Sequence, residues 1–225
     1  MNRELDSAFT DVRNAFRLLA RYQSCVLDIV NYIREQTPYT SIWGLRRYCN
    51  VISTRKNCPG DNYANLNVHC DMWSWDFLYN YLFEYYFGEA KFGRKTIEMS
   101  VIQISDDGYY KSMANNPSPI DIATFLPSDE SNSYLIFTAG WKAWLCDNTE
   151  DDCDRFLHKF LTGTNDMCVY TDKKGQWAIT KRYPMQRFAS QVEADRVLAD
   201  FGKIVMDHTG IELFKNKQSH SDYIR

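Results

Sequence analysis

The stretch Ser133-Tyr-Leu-Ile-Phe-Thr-Ala-Gly-Trp-Lys-Ala-Trp-Leu-Cys146 decides the reading of this chain. Leu135, Phe137, Ala139, Trp141, Ala143 and Leu145 make an unbroken apolar row at every second position. Between them Tyr134, Ile136, Thr138, Gly140, Lys142 and Trp144 make a mixed row. Successive side chains of a strand point to opposite faces, so the pattern predicts a strand with one face in a core and the other half-wet. Burying a side chain of this size is worth roughly 1.5–3 kcal/mol, and a slip of one residue would carry the whole row to the wrong face.

The neighbouring segments extend this strand into a sheet. Thr96–Ser105 reads as a strand, and Asp107-Gly108 supplies turn residues for a hairpin that returns along Tyr109–Met113. Asp166–Thr171 and Gln176–Tyr183 read as a second hairpin around Lys173-Lys174-Gly175. Ser190-Gln191-Val192-Glu193 is a capping-box pattern that opens a helix striped by Ala194, Val197, Leu198, Phe201, Ile204 and Val205, with Gly210 as its stop. Ile211–Phe214 reads as an edge strand.

Leu5, Phe9, Val12, Phe16, Leu19, Tyr22, Val26, Ile29 and Ile33 recur at intervals of three and four, which predicts a helix from about residue 5 to about residue 35, ending before Pro38. Arg13, Arg17, Arg21 and Arg34, with Asp11, Asp28 and Glu35, occupy its other side. Such a helix packs along its own domain, and the spacing also permits a homodimer seam. In Trp73–Phe87 every odd position is aromatic, a strand pattern, yet Asp76, Asn80 and Glu84 are spaced by four. A run of this length without Gly or Pro, closed by Gly88, suits a helix better, and a helix is predicted.

These elements give an α+β fold: an antiparallel sheet over about residues 96–183, covered by a long N-terminal helix, an aromatic-rich helix and a C-terminal helix. One domain over residues 1–215 and a polar tail over 216–225 are expected.

Composition narrows the function. A net charge of -3 weighs against a surface dominated by nucleic acid. Met1–Asp6 lacks the basic-then-apolar layout of a secretory signal, no apolar run is long enough to span a membrane, and the seven cysteines are odd in number. A cytoplasmic protein with free thiols follows as the expectation.

Phosphate-binding loops, nucleophile elbows, kinase motifs and H-E-x-x-H are all missing from the sequence. Weaker groupings remain. Cys49, Cys58, His69 and Cys70 are zinc-ligand types at poor spacing, read as free cysteines. Glu98 with Asp106 and Asp107, or Glu89-Ala90-Lys91, has the residue types of a metal-dependent nuclease, although Asp-Asp-Gly is also ordinary turn sequence. Lys173, Lys174, Lys181, Arg182 and Arg187, interleaved with Trp177 and Tyr183, have the make-up of a nucleic-acid patch, or of a solvated hairpin over a core Trp. A thiol–imidazole pair from Cys168 and His158 or His208 requires proximity in space, and His208 is assigned to a helix end.

The remaining candidate is a protein-binding surface formed by Trp144, Lys142 and Tyr134, with Asp151 and Asp152 in the acidic run Asp147–Asp154. The expected function is therefore a non-catalytic protein-interaction or inhibitor/immunity-type module without a cofactor or metal, whose partner is another protein. The alternative is a divergent metal-dependent nuclease or nucleic-acid binder.

Overall fold

A computed structural model describes residues 2–40, 43–44, 82–108, 125–142, 160 and 163–214. Helix α1 spans Asn2–Glu35, followed by strands β1 (Trp43–Gly44), β2 (Leu82–Phe92), β3 (Lys95–Ile104), β4 (Tyr134–Trp141), β5 (Met167–Thr171) and β6 (Trp177–Pro184), and then helix α2 (Gln191–Thr209). The strands form one sheet in the order β1-β2-β3-β4-β6-β5, with every neighbouring pair antiparallel. The architecture is α+β, as expected.

β4 lies inside the sheet, where Phe137 stands opposite Val101 of β3 and Lys181 of β6. Its odd row enters the main core. Leu135, Phe137 and Ala139 are buried with Val26, Val30 and Ile33 of α1 and with Val197, Leu198, Phe201 and Val205 of α2. Phe137 is the hub, packed edge-on to Tyr183 and Phe201 at ring-centre distances of 5.3 and 5.4 Å and stacked on Phe188 at 6.0 Å. The even row departs from the half-wet expectation, because Ile136 and Thr138 are buried as deeply as their neighbours. Both faces of β4 are therefore covered.

α2 forms as its sequence indicates. The Ser190 side chain accepts a hydrogen bond from the Glu193 backbone N–H, and Gly210, at φ 70°, closes the helix with an N–H to the Met206 carbonyl. The β5–β6 hairpin is likewise as read: the Asp172 carboxylate accepts from the N–H groups of Lys174 and Gln176, each at 2.8 Å, and Gly175 takes φ 76°.

Other expectations are corrected. The aromatic-rich segment is extended from Leu82 onward, so its end is strand β2 and not helix; Trp73–Tyr81 lies outside the described residues. The two α-helices whose full spans are described, α1 and α2, both pack on the same core. Both edges of β3 are occupied, by β2 and β4, leaving no place there for a return along Tyr109–Met113, which itself lies outside the described residues. Asp107 instead clips the exit of β3 to the approach of β4: its N–H donates to the Asn132 carbonyl and its carboxylate accepts from the Asn132 N–H. Ile211–Phe214 is irregular, not a strand, and sinks Ile211 and Leu213 into the core.

β2 carries a bulge between Tyr86 and Gly88, where the pairing with β3 shifts register and Gly88 adopts φ 89°. Before it, Tyr85 and Phe87 face the core; after it, Ala90 and Phe92 do, leaving Glu89 and Lys91 exposed.

The hub position of Phe137 sets a stability test. Phe137→Ala is expected to lower unfolding stability by about 3–5 kcal/mol, read from the midpoint of a denaturant titration.

Candidate functional site

The residues expected to form a binding surface do not converge. Tyr134 and Lys142 lie at and just beyond opposite ends of β4, more than about 20 Å apart by strand rise. Tyr134 is half-buried and sits under the Arg182 guanidinium, 5.4 Å from its ring centre. Lys142 is exposed, holds a left-handed backbone (φ 57°) where β4 ends, and lies 5.6 Å over the Trp141 ring, which also takes Lys95 at 4.9 Å. Trp144, Asp151 and Asp152 lie outside the described residues, as do Cys49, Cys58, His69 and Cys70.

The basic hairpin is dispersed by the strand. Lys173 and Lys174 are exposed in the turn. Lys181 pairs with Asp200 at 2.6 Å. Arg182, on the opposite face, is buried, and its Nη2 donates to the carbonyls of Phe160, Gly163 and Asn165. One guanidinium thus fastens the segment before β5 to the sheet. Trp177 and Tyr183 are buried, so neither offers a face for a base to stack upon.

The carboxylates also separate. Glu98 lies within β3, six residues and roughly 20 Å before its end at Ile104. Asp106 accepts from the Gly108 N–H in a local turn. Among the described residues, no group of three His, Cys, Asp or Glu side chains is placed to hold a metal ion. His208 fulfils its helix-end assignment, with Nδ1 2.8 Å from the Ile204 carbonyl.

A polar band that the sequence pattern did not reveal lines the second face of the sheet. Tyr86, Ser100, Thr138, Thr180 and Cys168 form one row across β2, β3, β4, β6 and β5. Ser100 donates to Glu84 Oε1 at 2.6 Å and Tyr86 to Glu98 Oε2 at 3.2 Å, so two buried carboxylates each receive a hydroxyl. Burial, and then the Glu98 charge, push the Tyr86 hydroxyl above its usual range and keep it a donor. Glu84 and Ser100 are fully inaccessible, and these hydrogen bonds partner polar groups buried on this face.

The exposed feature is α1. Its C-terminal half lies on the core through Val26, Val30 and Ile33, and Tyr32 donates a hydrogen bond to Asp195 of α2. At Gln23 the stripe turns polar. Gln23 Nε2 donates to the Tyr85 hydroxyl at 2.7 Å, that hydroxyl donates to Gln103 Oε1 at 2.8 Å, and Gln103 Nε2 returns to Gln23 Oε1 at 3.3 Å. N-terminal to this ring of hydrogen bonds, Phe9, Val12 and Phe16 of the same stripe are 56, 51 and 52% exposed. Residues 2–21 amount to about 30 Å of helix. Sequence periodicity identified the stripe but could not locate the point at which it leaves the sheet; the lone polar residue on the seam, Gln23, was the available signal.

Fold and surface together define an α+β protein built on one antiparallel sheet, with a helix that overhangs it. A protein-family model designated PM0109 matches residues 2–210, and the chain belongs to that family. The designation states no activity or ligand. No curated protein and no solved structure matches the chain. No helix among the described residues is long and apolar enough to cross a membrane.

The pair that joins α2 to β6 has a definite pH signature. Burial pushes the Asp200 carboxyl up, but hydrogen bonds from Lys181 and Tyr183, and the positive charges of Lys181 and Arg187, outweigh it and hold the group below the usual carboxylate range. With its folded-state value below the unfolded one, the pair contributes stability above about pH 4 and loses it as pH falls through the folded-state value. Asp200→Asn is expected to cost at most about 1 kcal/mol at neutral pH, since the carboxylate is nearly half-exposed. The gap to wild type closes on acidification, as followed by thermal unfolding across a pH series.

Proposed function

We propose that this protein is a non-catalytic protein-interaction module whose contact element is the overhanging half of α1. The carrying observation is the exposure of Phe9, Val12 and Phe16 on one face of a helix whose remaining seam is core. A soluble chain rarely leaves a contiguous apolar face in water unless another molecule covers it, and large aromatic and branched residues are what interfaces use as anchors. The dispersal of the basic hairpin and the separation of Glu98 from Asp106 support a binding role over nuclease chemistry. The exposed, unbridged thiol of Cys25 supports a reducing, cytoplasmic setting.

A photoreactive side chain at position 12, introduced into the full chain in the producing cell, tests this reading. A discrete protein adduct is expected on irradiation, and none from the same group at Lys203, an exposed position on α2. Failure to form an adduct at position 12, or equal labelling from both positions, overturns it.

A further inference from the structure

We infer that the overhanging half of α1 pairs with the same segment of a second copy of this chain, the two helices antiparallel. The inference rests on the reading of α1 as the contact element and names its partner.

Three features select this occupant. The first is the seam. Phe9, Phe16, Gln23 and Val30 repeat every seven residues, and so do Val12, Leu19, Val26 and Ile33, offset by three. That is the pattern by which two helices interlock side chains. The C-terminal part of the seam is spent on the chain's own sheet, and before Gln23 both Phe9 and Val12 stay more than half exposed.

The second feature is charge. Acidic residues occupy the start of the helix, with Asp6 and Asp11, and arginines follow at positions 13, 17 and 21. Asp6 and Arg13 occupy equivalent positions beside the seam, one heptad apart. In an antiparallel pair centred between Thr10 and Asp11, Phe9 of one helix packs on Val12 of the other. That register sets Asp6 of each copy beside Arg13 of the other, twice by symmetry. Parallel pairing would place Arg13 beside Ala8 of the other copy and form no such pair. Opposite charges flanking a helical seam fix orientation, and like charges oppose it.

The third feature is length. In the antiparallel register the pair is centred between Thr10 and Asp11, about 17 Å along the helix from Tyr22 and Gln23, where contact with the sheet begins. The overhang of one copy therefore matches the overhang of the other. The two sheets lie at opposite ends of the pair, and a two-fold axis relates one patch to itself, the commonest way for a chain to close on a copy.

Sedimentation equilibrium of the purified full chain, with no added ligand, tests the inference at moderate salt over a micromolar concentration range. Twice the chain mass is expected. Phe9→Ser combined with Val12→Ser should return the monomer while leaving the thermal midpoint of the fold nearly unchanged, because both positions are solvent-exposed. Asp6→Arg or Arg13→Asp alone should weaken association by about tenfold, and the two together should restore it to within about threefold. A wild-type monomer overturns the inference, as does a dimer that survives the Phe9/Val12 change or is not rescued by the double charge reversal. If the wild type is a monomer and position 12 still cross-links to a different protein, the pairing fails and the interaction reading stands. If the wild type is a monomer and position 12 cross-links to nothing, both fail.

Discussion

Gln23, Tyr85 and Gln103 hold one another in a closed ring of hydrogen bonds at the place where α1 meets the sheet. Gln103 is fully buried, and Tyr85 nearly so. A buried amide or hydroxyl stripped of its partner costs about 1–3 kcal/mol, so sliding the helix by one turn would break several such bonds at once. The ring therefore sets the register of α1 on β2 and β3. With the register set, Val26, Val30 and Ile33 must lie in the core, and Phe9, Val12 and Phe16 fall on the stretch that is more than half exposed. The location of the exposed face follows from a polar contact, not from the apolar residues themselves.

The other side of the sheet obeys a different constraint. β3 and β4 are buried on both faces, so their backbone and side chains satisfy their polar groups without water. The row from Tyr86 to Cys168 shows how this is done on the second face, with hydroxyls set beside carboxylates and beside one another, as at Thr138 and Thr180. Arg182 completes it. Its charge is taken up by three backbone carbonyls and by the rings of Tyr134 and Phe160, and the same contacts pin Phe160, Gly163 and Asn165 against the strand. A residue type that reads as a nucleic-acid contact in sequence has become an internal fastener.

Legibility in the sequence followed the range of the determining contact. The caps of α2 and the turn of the β5–β6 hairpin are set by residues a few positions apart, and the sequence identified both. The odd row of β4 was legible because alternation is local. Glu84 misled for the opposite reason: its spacing from Asp76 and Asn80 suggested a helical stripe, while its hydrogen-bond partner, Ser100, lies on the next strand. Asp107 carries good turn chemistry, yet its backbone and carboxylate bond to Asn132, reached only after an intervening stretch of chain. On the candidate surface, Tyr134 and Lys142 share a row in β4 and its continuation, but sharing a row does not bring the ends of a strand together. The α1 stripe was legible in full as a helix face, and illegible as two halves with different surroundings, because the same apolar residues suit both.

The bulge at Gly88 bears on how β2 is written. Counted from its aromatic end, odd residues face inward as far as Phe87; continued in that phase, Glu89 and Lys91 would point their charges into the interior. The chain resets its count with a single residue. A β-carbon at position 88 would meet no atom within 4 Å, so glycine is required there by its backbone angle and not by crowding. What lets one strand switch between two alternations is the absence of a side chain at the point where they meet.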